Sequence, residues 1–470
     1  MCSSILFFIT DFIEDIDKRL KGFDPQGGLS KIQKGWLGVC ISGIIVTNSV
    51  CWKRFERAGW GYRSHAGLSW IFRQAKILWQ NLLYASVEVI LQRYGVRDGV
   101  LVVDESDKKR AKHTTRIYKA HKIKDKSSGG FVNGQSIVFL VLVSPIVTIP
   151  VGFEFYNPSP ELSEWNKEDE RLRKKGIRKK DRPVKPERDE KYPTKQGIAL
   201  NLLKDFRKHY SNIHIKCVLA DALYGQDDFI SAASNIFGGI QVISQLRKNQ
   251  KIQVGNKEKS VNAYFSAHCG TEQKVKVRGD KEVDAIIGSG RLHTCAHRKK
   301  RFIIALKYKG EEEYRYLVAS DMSWRTMDIV QAYTLRWLVE VFFQDWKSYE
   351  GWGQLTKQPD EEGSRRGLIL SLLVDHCLLL HPDQLARIEN KLPACTVGSL
   401  QEKIKAESLI QAVQKIVSFP NAEEMLEHLT KTVKDLFVLA PSKKHMVIQG
   451  LGHLESTYSL RHKGADCCLA

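Results

Sequence analysis

The polar residues of YTLRWLVEVFFQDWK, from Tyr333 to Lys347, are spaced for chemistry. At about 100° per residue, Tyr333, Arg336, Glu340 and Lys347 fall within about 60° of one another on a helix, with Gln344 on the same stripe. Leu335, Leu338, Val339, Phe342, Phe343 and Trp346 face the other way, so the segment predicts an amphipathic helix with a narrow polar front. That front runs for about 21 Å and sets one carboxylate between two cations, with a phenol at one end. A guanidinium forks onto phosphate oxygens, an ammonium supplies a point charge, and a phenol offers a hydrogen bond or a stacking face. Glu340 has two readings. It is the i,i+4 partner of Arg336 on a solvated face, or it is one ligand of a cation shared with acids from elsewhere in the chain.

Two acids elsewhere end apolar runs: Asp104 closes GVLVVD and Asp221 closes HIKCVLAD. The elements around them read as follows. Residues 99–107, 135–143 and 146–156 predict three strands apolar enough to be covered on both faces, with a turn at Ser144–Pro145. Residues 157–193 are highly charged and proline-rich and predict a surface insertion or loose linker. A helix over 195–210, a strand over 214–220, a helix after Gly225 and a strand over 240–244 follow. Residues 250–318 alternate in KVKVRG, RFIIALKY and EYRYLVAS and predict a β-rich segment. The amphipathic helix then begins near Thr326, a plausible N-cap.

This order of elements resembles an RNase H-like domain, in which the first and fourth strands lie side by side at the sheet centre. Asp104 and Asp221 would then meet, and a late helix packed on the sheet would bring Glu340 to them. Three clustered carboxylates repel one another, and divalent cations relieve the repulsion. Carboxylate ligands select hard ions such as Mg²⁺, with Mn²⁺ as a substitute. Two such ions activate a water or a 3′-hydroxyl and stabilise the leaving oxygen of a phosphodiester. The fold class expected is α/β, an RNase H-like catalytic core with a β-rich insertion, flanked by N- and C-terminal helical regions.

The motif Y-x2-R-x3-E-x6-K, carried by Tyr333, Arg336, Glu340 and Lys347, resembles the signature of the IS4 group of bacterial DDE transposases. DESD at 104–107 is similar to that family's first-Asp strand, and DALYG at 221–225 to its second-Asp motif. The resemblance covers about 95–360 and implies a catalytic triad of Asp104, Asp221 and Glu340 holding two Mg²⁺ or Mn²⁺ ions. It implies that Tyr333, Arg336 and Lys347 contact phosphates of the transposon end. It also implies a homodimer on DNA that cuts transposon ends (terminal inverted repeats), through a hairpin, and joins them to target DNA. Trp324 and Trp337 are the candidates for stacking a base during the hairpin step. Asp107, Asp227 and Asp228 are secondary acids: the first is expected past the strand end and the others in a helix first turn. Glu105 is expected on the opposite face from Asp104. The alternatives are a non-catalytic DNA-binding protein derived from a transposase, and an RNase H-like nuclease without strand transfer.

Charge agrees with a polyanionic partner: 73 Lys+Arg stand against 53 Asp+Glu, a formal net of +20 over 470 residues. The run Lys108–Lys126 carries nine Lys/Arg and one Asp. It is read as a loop leaving the sheet beside Asp104, with Lys108, Lys109 and Arg110 on DNA backbone. Arg171–Arg182 and His297–Arg301 are further basic candidates. The uncharged run Trp36–Trp52 is diluted by Gly, Ser, Thr and Asn and is read as a buried core helix rather than a membrane span. The ten cysteines show no disulfide framework, so a reducing cytoplasm is expected, and the resemblance implies a bacterial one, with the protein on the nucleoid when bound to DNA. His293, Cys295 and His297 lack zinc-ligand spacing and are read as strand residues. The expected domains are a helical DNA-binding region (1–95), the first part of the core (96–249), a β-rich insertion (250–318), the Glu helix (319–360) and a helical C-terminal region (361–470) that serves dimerisation.

Overall fold

The computed structural model describes residues 6–59, 63–110, 113–125, 129–277, 281–352, 358–384, 396–418 and 420–436. Five helices open the chain: α1 (Phe7–Phe23), α2 (Lys31–Thr47), α3 (Trp52–Ala58), α4 (His65–Gln74) and α5 (Trp79–Arg93). Ser30 and Gln33 form a reciprocal capping box at the start of α2. The helix ends at Asn48 in the left-handed conformation. The α2 side chains from Trp36 to Val46 are nearly all buried among the other helices. Among the described residues no helix is long and apolar enough to cross a membrane.

The sheet follows. Its strands are β1 (Asp98–Lys109), β2 (His121–Lys124), β3 (Phe131–Val143), β4 (Thr148–Tyr156), β5 (His214–Ala220) and β6 (Gln241–Leu246). It continues with β7 (Lys251–Val254), β8 (Lys257–Ser260), β9 (Thr271–Lys276), β10 (Glu282–Thr294), β11 (Lys299–Tyr308) and β12 (Arg315–Ala319). Among the described residues these twelve form one sheet in the order β2-β3-β1-β5-β6-β12-β11-β10-β7-β8, with β4 on β3 and β9 on β10. β1, β5 and β6 are parallel neighbours, and β3 and β4 add on antiparallel. This mixed α/β arrangement is consistent with an RNase H-like nuclease fold.

Helices cover both faces: α6 (Pro160–Lys174), α7 (Lys195–His209), α8 (Asp227–Ile236), α9 (Val261–Ala267), α10 (Thr326–Thr334), α11 (Trp337–Tyr349) and α12 (Glu361–Leu379). Two more, α13 (Val397–Val417) and α14 (Ala422–Leu436), end the described chain. Strand alternation sorts the core into two layers. Val100 and Val102 of β1, Phe139 of β3 and Leu219 of β5 pack with α11, α12 and the N-terminal helices. Leu101, Val103, Leu140 and Val218 pack with α7 and α8 on the other face.

Four sequence expectations change. The span 157–193 is not a loose linker, because Ser159 caps a helix that starts on Pro160, and Trp165 Nε1 donates to the Pro183 carbonyl at 2.9 Å. The β-rich segment also holds a helix, α9, and it continues the central sheet because β12 pairs antiparallel with β6. Thr326 is the first helical residue rather than the cap. Arg325 holds the cap position, and its side chain donates twice to Asp328 at 2.9 Å. The long amphipathic helix is broken between α10 and α11. Leu335, Arg336, Leu338 and Val339 N–H groups bond to carbonyls three residues back, so the chain tightens there.

Candidate active site

Parity along the strands aims the first two acids. Asp104 follows Val102 by two residues and Asp221 follows Leu219 by two, so both lie on the layer that α11 covers. The parallel register pairs Val103 with Ala220, which makes Asp104 and Asp221 neighbours at the same sheet rim. β1 runs on to Lys109, while β5 stops at Ala220. Asp221 turns out of β5 as the cap of a one-turn helix, where its side chain accepts from Leu223 N at 2.9 Å. Ser244 Oγ donates to the Asp221 carbonyl at 2.6 Å and pins this loop to β6. Gly225 lets the loop lie flat on β6, since a Cβ there would sit 2.3 Å from the Gln245 carbonyl oxygen.

An aromatic stack positions the third acid. Phe139, the register partner of Asp104 on β3, meets Phe343 at 5.3 Å and Trp346 at 5.1 Å, both edge-on. Each such pair contributes about 0.5–1.5 kcal/mol beyond area burial. Trp346 stacks on Trp352 at 4.5 Å and donates to Ser371 Oγ at 2.7 Å, which locks α11 to α12. Asn48 at the end of α2 accepts from Gly351 N at 3.3 Å and donates to the Ser348 carbonyl, so the N-terminal helices also brace the end of α11. Glu340 then lies in the first turn of α11, on the same layer as Asp104.

Arg336 joins two of the acids. Its Nη1 donates to Asp104 Oδ2 at 2.5 Å and its Nη2 to Glu340 Oε1 at 3.4 Å. Asp104 Oδ1 accepts from Glu105 N at 2.8 Å. Burial pushes the Asp104 carboxyl up to about 6; Arg336 and the Glu105 amide pull it down, and Glu340 and Asp221 add repulsion. Glu340 and Asp221 thus both lie near enough to act on Asp104. Burial also works against the Arg336 charge, but Tyr333 and the three acids outweigh it and raise its pKa. Lys347 is pushed down by desolvation while Asp107, Glu340 and Asp104 oppose the shift, and its ammonium stands over Phe343 at 5.4 Å.

Other expected residues land elsewhere. Tyr333 is not on an open front: its ring is buried in the core, and burial pushes its hydroxyl up to about 12, with Gln245 beside it. The chain tightens just after it, between α10 and α11, so Tyr333 does not continue the regular turn of α11. Trp337 is 62% exposed, whereas Trp324 is half-buried against the core. Lys108 and Lys109 lie on β1 rather than in a loop. Lys108 Nζ donates to the Trp352 carbonyl at 2.7 Å, and Lys109 pairs with Asp125 at 2.5 Å. Arg110 is half-buried, and burial lowers its pKa. Ala111, Lys112 and Lys126 of the basic run lie outside the described residues. Asp107 is inside β1, not beyond it, and accepts from Ser136 Oγ at 2.5 Å. Glu105 points to the opposite face and pairs with Lys195 at 2.5 Å. Asp227 pairs with Arg301 and, at 3.1 Å, with Lys299.

The His293–His297 cluster is also rearranged. His293 is on β10, but Cys295 and His297 sit in the turn before β11, and His297 Nε2 bonds the Gly225 carbonyl at 3.0 Å. Among the described residues no group of three His, Cys, Asp or Glu side chains is spaced to hold a metal ion. That holds for Asp104, Asp221 and Glu340 as well, where the Arg336 guanidinium contacts Asp104 and Glu340. The donor set itself, all carboxylate oxygen with one acid nearly buried, fits a hard divalent cation. Nothing in the sequence flagged Phe139, Ser244 or Gln245 as supports, since an apolar or small polar residue in a strand carries no local signal.

A mixed sheet whose parallel centre ends at two aspartates, with a helix carrying a glutamate packed on the same layer, is consistent with the fold of a DDE-type nuclease. Residues 55–282 match the family model described as DDE superfamily endonuclease, a span that includes Asp104 and Asp221 and ends before Glu340. The match supports a DDE transposase-type family, with transposase or nuclease chemistry on DNA, and endonucleases of that superfamily generally use divalent metal ions. No curated protein matches the chain.

Proposed function

We propose that the protein is a metal-dependent DNA transposase of the IS4 group. It cuts the ends of an insertion sequence and joins them to target DNA. The observation that carries this reading is the register of parallel β1 and β5, which sets Asp104 beside the end of β5 where Asp221 follows, on the layer that α11 covers. Asp104, Asp221 and Glu340 would hold Mg²⁺ or Mn²⁺. The ions, when bound, supply an activated hydroxyl and charge stabilisation for phosphodiester cleavage. Arg336, half-withdrawn between the acids, is placed to turn from carboxylate to phosphate once cations take over its partners. Lys347 adds positive charge near the acids, and Trp337 offers an open ring for a base in a hairpin step. Tyr333, being buried, acts through Arg336 rather than as a stacking face. The active form on DNA is a dimer that pairs the two ends.

The test uses DNA carrying the sequences that flank the gene, searched for short inverted repeats. Wild-type protein with Mg²⁺ should release a 3′-hydroxyl at each repeat boundary and yield products joined to a second DNA, and EDTA should abolish both. Nicking without joined products would leave an RNase H-like nuclease. Binding without cleavage under Mg²⁺ or Mn²⁺ would leave a non-catalytic DNA-binding protein.

A further inference from the structure

A groove of about 1130 Å³ lies between the β2–β3 edge and the segment that carries α6. Its wall includes Glu105 and Leu223, one residue beyond Asp104 and two beyond Asp221, so it opens at the same end of the sheet as the acids. Lys122, Lys124, Lys167 and Arg188 line it, and among the described residues no carboxylate pairs with any of them. Its two acids are engaged: Glu105 by Lys195 at 2.5 Å and Asp107 by the Ser136 hydroxyl at 2.5 Å. One large ring is open to solvent there, Phe131, 53% exposed on β3. Lys122 Nζ stands 4.7 Å from its centroid, and Lys124 is its register partner.

Unbalanced cations beside an exposed aromatic ring suit one class of ligand. A basic groove tracks a phosphate backbone, and an aromatic face stacks a base whatever its identity, which requires the base to be unpaired. A duplex would present phosphates but leave Phe131 nothing to stack on. We infer that this groove takes a single DNA strand leaving the cleavage site, with a base on Phe131 and phosphates along Lys122, Lys124, Lys167 and Arg188. The identity of the polymer as DNA rests on the proposed function; the preference for an unpaired strand rests on the groove itself.

The experiment is fluorescence anisotropy of a labelled single-stranded oligonucleotide and of its duplex, titrated with the full chain over a range of salt. Phe131→Ala should weaken single-strand binding about tenfold, leave its salt slope unchanged and spare the duplex. Lys122→Ala with Lys124→Ala should lower the single-strand slope by about 1.4, and Lys122→Arg with Lys124→Arg should restore it. These side chains are exposed at a sheet edge, so circular dichroism should match wild type. Wild-type single-strand binding by both alanine variants, or equal losses on duplex, overturns the inference. Plasmid cleavage by the same wild-type preparation separates the two ideas. Cleavage without these strand effects refutes the groove alone, and the strand effects without cleavage refute the proposed function alone.

Discussion

Replacing Asp104 by Asn should stabilise the protein while destroying its activity. Asp104 is 7% exposed, and burial raises its carboxyl from the ordinary 3.8 to about 6 despite the Arg336 contact. At about 1.4 kcal/mol per tenfold, that gap is about 3 kcal/mol of cost for keeping the charge. The sign follows from proton binding. Between about 3.8 and about 6 the folded state holds the Asp104 proton and the unfolded state does not. Stability therefore falls as pH rises through that window, and the cost is complete above it. Asn keeps the shape and an acceptor for Arg336 but does not ionise. In EDTA, the urea midpoint of D104N should equal wild type near pH 4. It should exceed wild type above pH 7 by the equivalent of up to about 3 kcal/mol. Added Mg²⁺ at pH 8 should raise wild type and leave the variant unmoved, because only the carboxylate set binds the ion. A difference that is absent at pH 8, or that is the same at pH 4 and pH 8, would refute the account of Asp104 as a charge held under strain.

Three other outcomes are expected. Glu340→Gln should bind inverted-repeat DNA like wild type yet lose cleavage by a factor of at least about 100, read on labelled ends, because an amide is a poor ligand for a hard cation; full cleavage would mean a different third acid. Phe139→Ala, which removes the ring between Asp104's strand and α11, should cost about 3–5 kcal/mol in urea unfolding and loosen the Glu340 helix, seen as faster amide exchange over Trp337–Tyr349. Gly225→Ala should push the Asp221 loop off β6, since its Cβ would fall 2.3 Å from the Gln245 carbonyl. Cleavage should drop sharply while circular dichroism stays native, and unchanged cleavage would show that the loop adapts.

The candidate residues were legible because chain-local patterns carry them. Apolar runs that end in Asp104 and Asp221 are strands whatever surrounds them, and their alternation already sends Glu105 to the opposite face from Asp104. Stripe spacing from Glu340 to Lys347 survives because α11 is regular over that span. Expectations failed where a single local period was extended too far. One helical period from Tyr333 onward missed the tightened turn at Leu335–Arg336, which buries the Tyr333 ring. Charge density over 157–193 hid α6, whose few apolar contacts with its neighbours give little periodic signal.

By itself, then, the sequence offered candidates for chemistry and, within regular stretches of strand and helix, the face on which each would stand, because covalent geometry sets periods of 2.0 and 3.6 regardless of context. Only the tertiary structure decided that β1 and β5 are neighbours in parallel register, that β7–β12 extend the same sheet, and that Phe139 seats α11 over Asp104. It also decided that Arg336 reaches Asp104, 232 positions away in the chain, besides its helical neighbour Glu340. Such contacts depend on packing and desolvation summed over distant segments, and no local period encodes which partner a buried charge will find.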